Sequence, residues 1–162
     1  MHTRLFTYTV RTACGDDLEA VEAMLNDESL PLDGVRERFH EFLVAEGTYS
    51  QRVPASPIGA IGLELYGDAA LLRSAVVDPA WRGRGVGRAL VDAAVESARA
   101  QGVHDLYLLT TTAEAFFSAN GFRIVSRSAV PAAVRRSVEF VSACPDSATA
   151  MTRSIAAAPL AN

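Results

Sequence analysis

A stretch rich in glycine and arginine, Arg82-Gly83-Arg84-Gly85-Val86-Gly87-Arg88, limits the fold of this chain more than any other feature. This glycine-rich loop (residues 82–88) follows a strand-like run at residues 69–77 and opens a helix-like run at residues 86–101. Glycines at alternate positions allow a tight turn and a close approach of the backbone to a ligand. The N–H groups at the start of a helix have no intrahelical partner and lie at the positive end of the helix dipole, so they attract anions. Because three arginines add positive charge at the same place, the loop predicts a site for a ligand that carries phosphates.

The spacing within the loop distinguishes between phosphate-binding motifs. A Walker-type loop requires a lysine after its last glycine, but this chain has Arg88 there and contains no lysine. A dinucleotide-binding motif, Gly-x-Gly-x-x-Gly, requires glycine where Arg88 stands, and Asp105, a candidate ribose contact, comes at the start of the next predicted strand rather than at its end. Residues 82–87 match a third pattern, Arg-x-x-Gly-x-Gly, at every position. The structural alternative, a turn with solvated arginines, is disfavoured because three glycines and three arginines coincide at one strand–helix junction.

Length and composition set the broad class of the protein. A chain of 162 residues suits one domain, and 49% hydrophobic residues are enough for a full core. The formal net charge of −4 disfavours a nucleic-acid partner, so the basic loop is interpreted as a local site on an acidic protein. The two cysteines, Cys14 and Cys144, are isolated in the sequence, which indicates a reduced state and no metal site. With no apolar run near 18 residues and no leader-like N-terminus, we expect a soluble, cytoplasmic protein without a membrane partner.

The order of the predicted elements indicates a mixed sheet. Gly67-Asp68 is a hairpin signal between two strand-like runs, which favours an antiparallel N-terminal half. The predicted helix between residues 77 and 106 suits a crossover between two parallel strands. We therefore predict an α/β (α+β) fold with a mostly antiparallel central sheet, one parallel pair and flanking helices. It would form a single domain over residues 1–155, followed by a frayed tail at residues 156–162.

Local patterns predict the elements of the C-terminal half. Thr111 and Glu114 have the spacing of a capping box at the start of a short helix that ends at Gly121. Residues 122–128 have the composition of a strand. Residues 130–140 indicate one or two helical turns that begin near Pro131, and residues 148–153 a last strand.

Two motifs resemble a known family. Leu72-Arg73-Ser74-Ala75-Val76-Val77-Asp78-Pro79, with Trp81 and the glycine-rich loop, resembles the central motif of the GNAT N-acetyltransferases. Phe116-Phe117-x-x-x-Gly121-Phe122 is similar to their second signature, and the resemblance extends over residues 5–155. Four further segments resemble a subgroup found in arsenic-resistance operons: residues 108–114, Val130-Pro131-Ala132-Ala133, Glu139-Phe140 and Cys144-Pro145.

The resemblance implies acetyl-CoA as co-substrate and no metal. The strands at residues 71–77 and 104–109 would splay apart into a cleft for the pantetheine arm. The pyrophosphate would lie on the N–H groups of residues 83–88. A backbone N–H of Val76 or Val77 would polarise the acetyl carbonyl, which makes Val76 a catalytic candidate through its main chain. The cofactor-binding candidates are Val76, Val77, Arg82, Gly83, Arg84, Gly85, Val86, Gly87, Arg88 and Phe117.

Phe117 departs from the family pattern. GNAT enzymes commonly carry a tyrosine at this position as general acid for the leaving thiolate, and a phenyl ring cannot donate a proton. Core packing is therefore the favoured interpretation of Phe116 and Phe117. A thiol with an ordinary pKa of about 8.5 is a fair leaving group unaided. Thr110, Thr111 and Ser118 are candidates to hold a water in place of the missing acid.

The acceptor side departs from the pattern as well. Many relatives place a general-base glutamate on the strand before the loop, where this chain has Leu71. Glu64, on the neighbouring predicted strand, is the replacement candidate, against the alternative that it faces solvent. Arg73 interrupts an apolar strand, so it either anchors a substrate carboxylate or pairs with a structural acid. Thr110 joins Arg73 as a substrate-binding candidate.

The leading hypothesis is an acetyl-CoA-dependent N-acetyltransferase in which the primary amine of a small amino-acid-like substrate attacks the thioester directly. The resemblance to the arsenic-resistance subgroup favours an arsenic-containing amine. Neither cysteine lies near the motifs of the predicted cleft, so no acyl-enzyme is expected. Two alternatives stay open: an enzyme that acetylates protein or peptide amines, and a catalytically weak acyl-CoA-binding regulatory module. Families of this kind are frequently dimeric, which makes a homodimer a further expectation.

Overall fold

The computed structural model of the protein describes residues 6–48 and 55–156. Within these residues the chain forms seven strands: β1 (Thr7–Thr12), β2 (Phe42–Thr48), β3 (Ser56–Tyr66), β4 (Ala69–Val77), β5 (Asp105–Thr110), β6 (Arg123–Ile124) and β7 (Thr149–Ser154). The same residues form four α-helices: α1 (Leu18–Asp27), α2 (Val86–Ala100), α3 (Glu114–Ala119) and α4 (Ala132–Arg135). None of these helices is long and apolar enough to cross a membrane.

The strands form one sheet in the order β1-β2-β3-β4-β5-β7-β6. β1 pairs with β2, β2 with β3, and β7 with both β5 and β6, all in antiparallel orientation. β4 and β5 form the parallel pair, in which Ala69, Ala70 and Leu71 lie opposite Asp105, Leu106 and Tyr107. This arrangement confirms the predicted fold class, a mixed and mostly antiparallel sheet with flanking helices. The splaying of β4 from β5 beyond these pairs stays a prediction.

Helix α2 follows the glycine-rich loop as its apolar spacing predicts. The apolar residues recur at helical intervals and are buried: Val86, Leu90, Val91, Ala94, Val95 and Ala98. The helix is followed by Gly102, whose φ of +81° is a left-handed conformation that glycine adopts readily. The Val103 N–H then donates to the Ala98 carbonyl at 3.0 Å, which satisfies part of the last turn.

The chain divides into two compact units. The first contains the described residues up to Gly62 together with Ser74–Ala93, and its core includes Val21, Leu25, Val35, Phe39, Phe42, Val44, Ala60 and Val76. The second contains Leu63–Arg73 and the chain from Ala94 onward, and its core includes Ala69, Leu71, Val130, Val134 and Ala150. The boundaries of a single domain at residues 1–155 stay a prediction. Residues 157–162 of the predicted tail lie outside the described residues.

The predicted capping box at Thr111 is wrong. Helix α3 begins at Glu114, with Ala113 as its N-cap, and no side chain caps it. The Thr110 hydroxyl instead accepts the Ala113 N–H at 3.0 Å, and Thr111 is exposed. Thr110, rather than Thr111, therefore accepts a backbone N–H just before the start of the helix.

The strand predicted for residues 122–128 is wrong in its extent. Strand β6 comprises only Arg123 and Ile124. The chain then turns at Ser126, whose side chain accepts the N–H of Ser128. This local hydrogen bond competes with further sheet pairing. The helical turns predicted for residues 130–140 are present as α4 and the π-helical turn Glu139–Ala143.

Candidate active site

A buried tryptophan anchors the chain just before the glycine-rich loop. Pro79–Trp81 form a 3-10 turn, which the Asp78 side chain caps. The Trp81 side chain is fully buried. The rings of Phe6 and Tyr8 pack edge-on against it, at centroid distances of 5.1 and 6.4 Å. The loop therefore begins from a rigid aromatic anchor.

Two glycines of the loop hold conformations that other residues rarely adopt. φ is +77° at Gly83 and +83° at Gly85, both in the left-handed region. Both glycines are exposed, whereas Val86, the first residue of α2, is buried. The Ala89 N–H donates to the Gly85 carbonyl at 3.0 Å, so the helical hydrogen bonds start at Gly85. The N–H groups of the first turn are the ones that an anion at a helix N-terminus uses.

The three arginines of the loop have different environments. Arg82 donates to the Glu28 carboxylate at 2.6 Å, so its charge is shared with the residue that follows α1. The Arg84 guanidinium lies 3.4 Å from the centroid of the Phe6 ring, in a cation–π contact that neutralises none of its charge. Arg88 is exposed in the first turn of α2. The positive charge that the loop offers to an anion therefore rests mainly on Arg84 and Arg88.

The last residues of β4 carry the backbone groups that are expected to meet the acetyl group. Val76 is buried and Val77 is half-buried, and the Asp78 N–H donates to the Ile58 carbonyl at 2.8 Å. Ser74 has a φ of +55°, which is uncommon for a residue other than glycine. The strand is therefore irregular immediately before Val76. The catalytic role of the Val76 main chain stays a prediction.

The second compact unit contains a group of buried and half-buried polar side chains, which we call the Arg73 cluster: Glu64, Tyr66, Arg73, Glu139 and Cys144. The Arg73 side chain has no exposed surface, and its Nη1 donates to Glu64 Oε2 at 3.1 Å. Its Nη2 lies 3.3 Å from Glu139 Oε1. The Tyr66 hydroxyl donates to Glu64 Oε1 at 2.6 Å. Since buried charges are tolerated only when they are paired, the cluster holds its members in a defined arrangement.

Cys144 lies at the edge of the Arg73 cluster. Its thiol donates to Glu139 Oε2 at 2.7 Å. Burial, together with this hydrogen bond to a carboxylate, raises the pKa of the thiol to about 12. Cys144 is therefore protonated near neutral pH and is a poor nucleophile. Within residues 6–48 and 55–156, no group of three or more His, Cys, Asp or Glu side chains could hold a metal ion.

The environments of Glu64 and Arg73 bear on the alternatives for these two residues. Glu64 is only 2% exposed, so the alternative of a solvent-facing residue is wrong. Arg73 pairs with Glu64 and Glu139, which agrees with the interpretation that it pairs with a structural acid. Its role as an anchor for a substrate carboxylate stays a prediction. Leu71, at the usual position of the base, is fully buried in the apolar core. The sequence does not predict that Glu139 pairs with Arg73. The signal that could have indicated a buried role for Glu139 is its position as an isolated acid between Val138 and Phe140.

Phe117 and Thr110 have evident structural roles. Phe117 is 6% exposed, and the rings of Phe116 and Phe122 lie against it at 5.0 and 5.6 Å between centroids. This geometry agrees with core packing for Phe117, whereas Phe116 is 38% exposed, so core packing is wrong for Phe116. Thr110 accepts a hydrogen bond from the chain before α3. A contact of Phe117 with the cofactor, and of Thr110 with a substrate, stay predictions.

A family model matches more than half of the chain. Residues 38–124 fit the model described as an acetyltransferase (GNAT) domain. The chain belongs to the GNAT acetyltransferase family. The matched segment contains β4, the glycine-rich loop and the Phe-Phe-x-x-x-Gly-Phe signature. The match confirms the predicted family and the predicted acetyltransferase class of the domain.

Several solved structures share the fold. N-acetylglutamate synthase from Neisseria gonorrhoeae, complexed with coenzyme A and N-acetyl-glutamate, is 19% identical with a TM-score of 0.78, over 93% of this chain and 36% of that one. A Mycobacterium tuberculosis protein in complex with CoA is 24% identical with a TM-score of 0.74, over 90% and 98% of the two chains. A GNAT-family acetyltransferase from Staphylococcus aureus Mu50 is 21% identical with a TM-score of 0.70, over 92% and 99%. The likeness at these identities shows the fold, and the chain spans about a third of the length of the Neisseria enzyme.

Proposed function

We propose that the protein transfers the acetyl group of acetyl-CoA directly to the primary amine of a small amino-acid-like substrate. The observation that carries the proposal is the glycine-rich loop, in which two left-handed glycines lead directly into α2 within a GNAT domain. The N–H groups of residues 83–88 would hold the CoA pyrophosphate, and Arg84 and Arg88 would add charge beside it. Arg82 would contribute less, since it already pairs with Glu28.

The proposed chemistry needs a polarised carbonyl and a deprotonated amine. A main-chain N–H of Val76 or Val77 would donate to the acetyl oxygen as negative charge develops on it. Glu64 would accept the proton of the attacking ammonium, directly or through water. The N–C bond forms as the C–S bond breaks, the nitrogen gives up its second proton to solvent, and CoA leaves as a thiolate that is then protonated from solvent. Because Phe117 cannot donate a proton, the thiolate leaves without a tyrosine acid.

Two observations support an amino-acid-like acceptor. The sequence segments that resemble the arsenic-resistance subgroup favour an arsenic-containing amine of this kind. The Neisseria enzyme of the same fold is complexed with an acetylated amino acid. In this proposal Arg73 and Thr110 would contact the substrate. The reaction would take place in the cytoplasm, with a homodimer as the proposed assembly.

Calorimetric titration with acetyl-CoA, followed by a thiol-release assay over a panel of amines, tests the proposal. We expect stoichiometric binding, release of CoA with at least one amino-acid-like amine, and an acetylated product by mass spectrometry. Release with peptide amines alone would instead favour a peptide or protein acetyltransferase. Binding without release under any amine would favour the regulatory module, the alternative that Leu71 and Phe117 support. Absence of binding would refute the proposal.

A further inference from the structure

Arg73 is held from two sides inside the second compact unit. Its Nη1 donates to Glu64 Oε2 at 3.1 Å, and its Nη2 lies 3.3 Å from Glu139 Oε1. All three side chains are at most 6% exposed, so water screens these charges only weakly. The two carboxylates come from distant parts of the chain, β3 and the π-helical turn, whereas Arg73 lies on β4. Both acids therefore act on the guanidinium at once, through a hydrogen bond at Nη1 and an ion pair at Nη2.

Glu139 is itself fixed within the fold. Its Oε2 accepts the Cys144 thiol at 2.7 Å, and its carbonyl accepts the Cys144 N–H at 3.1 Å. Arg127 donates to two carbonyls of the loop that follows, at 2.9 and 3.0 Å. Single π-helical turns are frequent at functional sites. Glu139 thus offers Nη2 of Arg73 a carboxylate that is itself hydrogen-bonded within its own turn, while Nη1 meets Glu64.

We propose that Glu139 is a positioning residue, which sets the place of the Glu64 carboxylate through Arg73. This inference rests on the proposed function, in which Glu64 accepts the proton of the ammonium. Glu139 Oε1 forms an ion pair with Nη2 but accepts no hydrogen bond from it, while Nη1 donates to Glu64 Oε2 and Tyr66 donates to Glu64 Oε1. Without the charge of Glu139, the guanidinium would be drawn towards Glu64 with both nitrogens, the bidentate geometry that arginine favours with a carboxylate. The base would then move away from the position that proton transfer requires.

The substitution Glu139→Gln tests this inference, because glutamine keeps the shape of the side chain and removes its charge. We expect kcat to fall by roughly tenfold to a hundredfold, as displacement of a catalytic group on the order of 1 Å does elsewhere. The KM for acetyl-CoA should stay unchanged, since the contacts of Glu139 with Arg73 and Cys144 involve no residue of the glycine-rich loop. Glu139→Asp, which keeps the charge but withdraws it by one methylene, should give an intermediate kcat. The matched control is Glu96→Gln, which removes a glutamate paired with Arg99 at 2.8 Å on the exposed face of α2 and should leave kcat unchanged.

A double-mutant cycle with Glu64→Gln separates positioning from a merely structural role. If Glu139 acts through Glu64, then Glu139→Gln has no further effect on the residual rate of the Glu64→Gln variant. An equal loss in both backgrounds, or a loss of melting temperature without a loss of kcat, would overturn the inference alone. Wild-type kcat in Glu64→Gln would refute the base assignment of the proposed function and the inference with it. Where Glu139→Gln does not fold, the same cycle with Glu139→Asp gives the decision.

Discussion

Replacement of Gly85 by alanine adds a single methyl group to the glycine-rich loop. The φ of +83° lies in the left-handed region, where an L-residue loses about 1–2 kcal/mol. The surrounding space tolerates the methyl, because a Cβ there would lie 3.5 Å from the Tyr8 hydroxyl oxygen, an ordinary van der Waals distance. The folding penalty is therefore conformational, and in a chain of 162 residues it lowers Tm by about 2–8 °C. The same methyl would stand where the backbone is expected to approach the pyrophosphate, so acetyl-CoA affinity should fall by about tenfold or more, ~1.4 kcal/mol per tenfold.

Gly102→Ala is the matched control for this substitution. Its φ of +81° carries the same conformational penalty, and no atom lies within 4 Å of the added Cβ. Calorimetric titration with acetyl-CoA and thermal unfolding are measured on both variants. We expect similar losses in Tm and weaker acetyl-CoA binding in Gly85→Ala alone. Unchanged affinity in a folded Gly85→Ala variant would refute the assignment of the phosphate site, and equal losses of affinity in both would assign the effect to stability.

Three further predictions concern acid stability, the cysteines and the aromatic core. The hydrogen bonds of Arg11 hold the pKa of Asp17 at about 2, so the stability from this pair is present above about pH 4 and is lost as the pH falls towards 2. Asp17→Asn should lower the free energy of unfolding at pH 7 by only about 1 kcal/mol, because water screens the partly exposed Arg11. In denaturant titrations the variant should lose less stability than the wild type between pH 4 and pH 2. Cys14→Ala and Cys144→Ser should both retain transferase activity, and an acetyl adduct trapped on either thiol during turnover would argue against direct transfer. Phe117→Tyr should destabilise the fold by about 1–3 kcal/mol in thermal unfolding without raising turnover, because its hydroxyl enters an aromatic core, whereas a faster rate at unchanged Tm would show that the hydroxyl reaches the sulfur.

The features that the sequence predicts well rest on local backbone chemistry. Gly83 and Gly85 mark positions of positive φ, and Gly102 marks the end of α2 in the same way. The apolar spacing predicts α2 correctly, because residues that recur at the helical period lie on one face of the helix and are buried together. Strand pairing near Gly67 agrees with its hairpin signal, since only a two-residue connection, with φ of +71° at the glycine, separates β3 from β4. The fold class and the glycine-rich loop are therefore predicted from signals that each span only a few residues.

The features that the sequence does not predict depend on tertiary packing, which leaves little signal in the local sequence. Arg73 attracts notice as a charge in an apolar strand, yet its second partner, Glu139, lies far along the chain in a turn that the sequence predicts only in outline. The positive φ of Ser74 cannot be predicted, because serine does not mark that conformation. Strand β6 ends early because the Ser126 side chain bonds locally, a competition that composition alone does not resolve.

A structure determined with CoA bound would test the pyrophosphate site most directly. We expect the pyrophosphate oxygens to lie within about 2.7–3.2 Å of main-chain nitrogens of residues 83–88, with the Arg84 or Arg88 guanidinium beside them. The same structure should place the thiol end of CoA near the main chain of Val76 and Val77. CoA bound elsewhere on the protein, or phosphates held by side chains alone with the loop N–H groups turned away, would contradict the assignment.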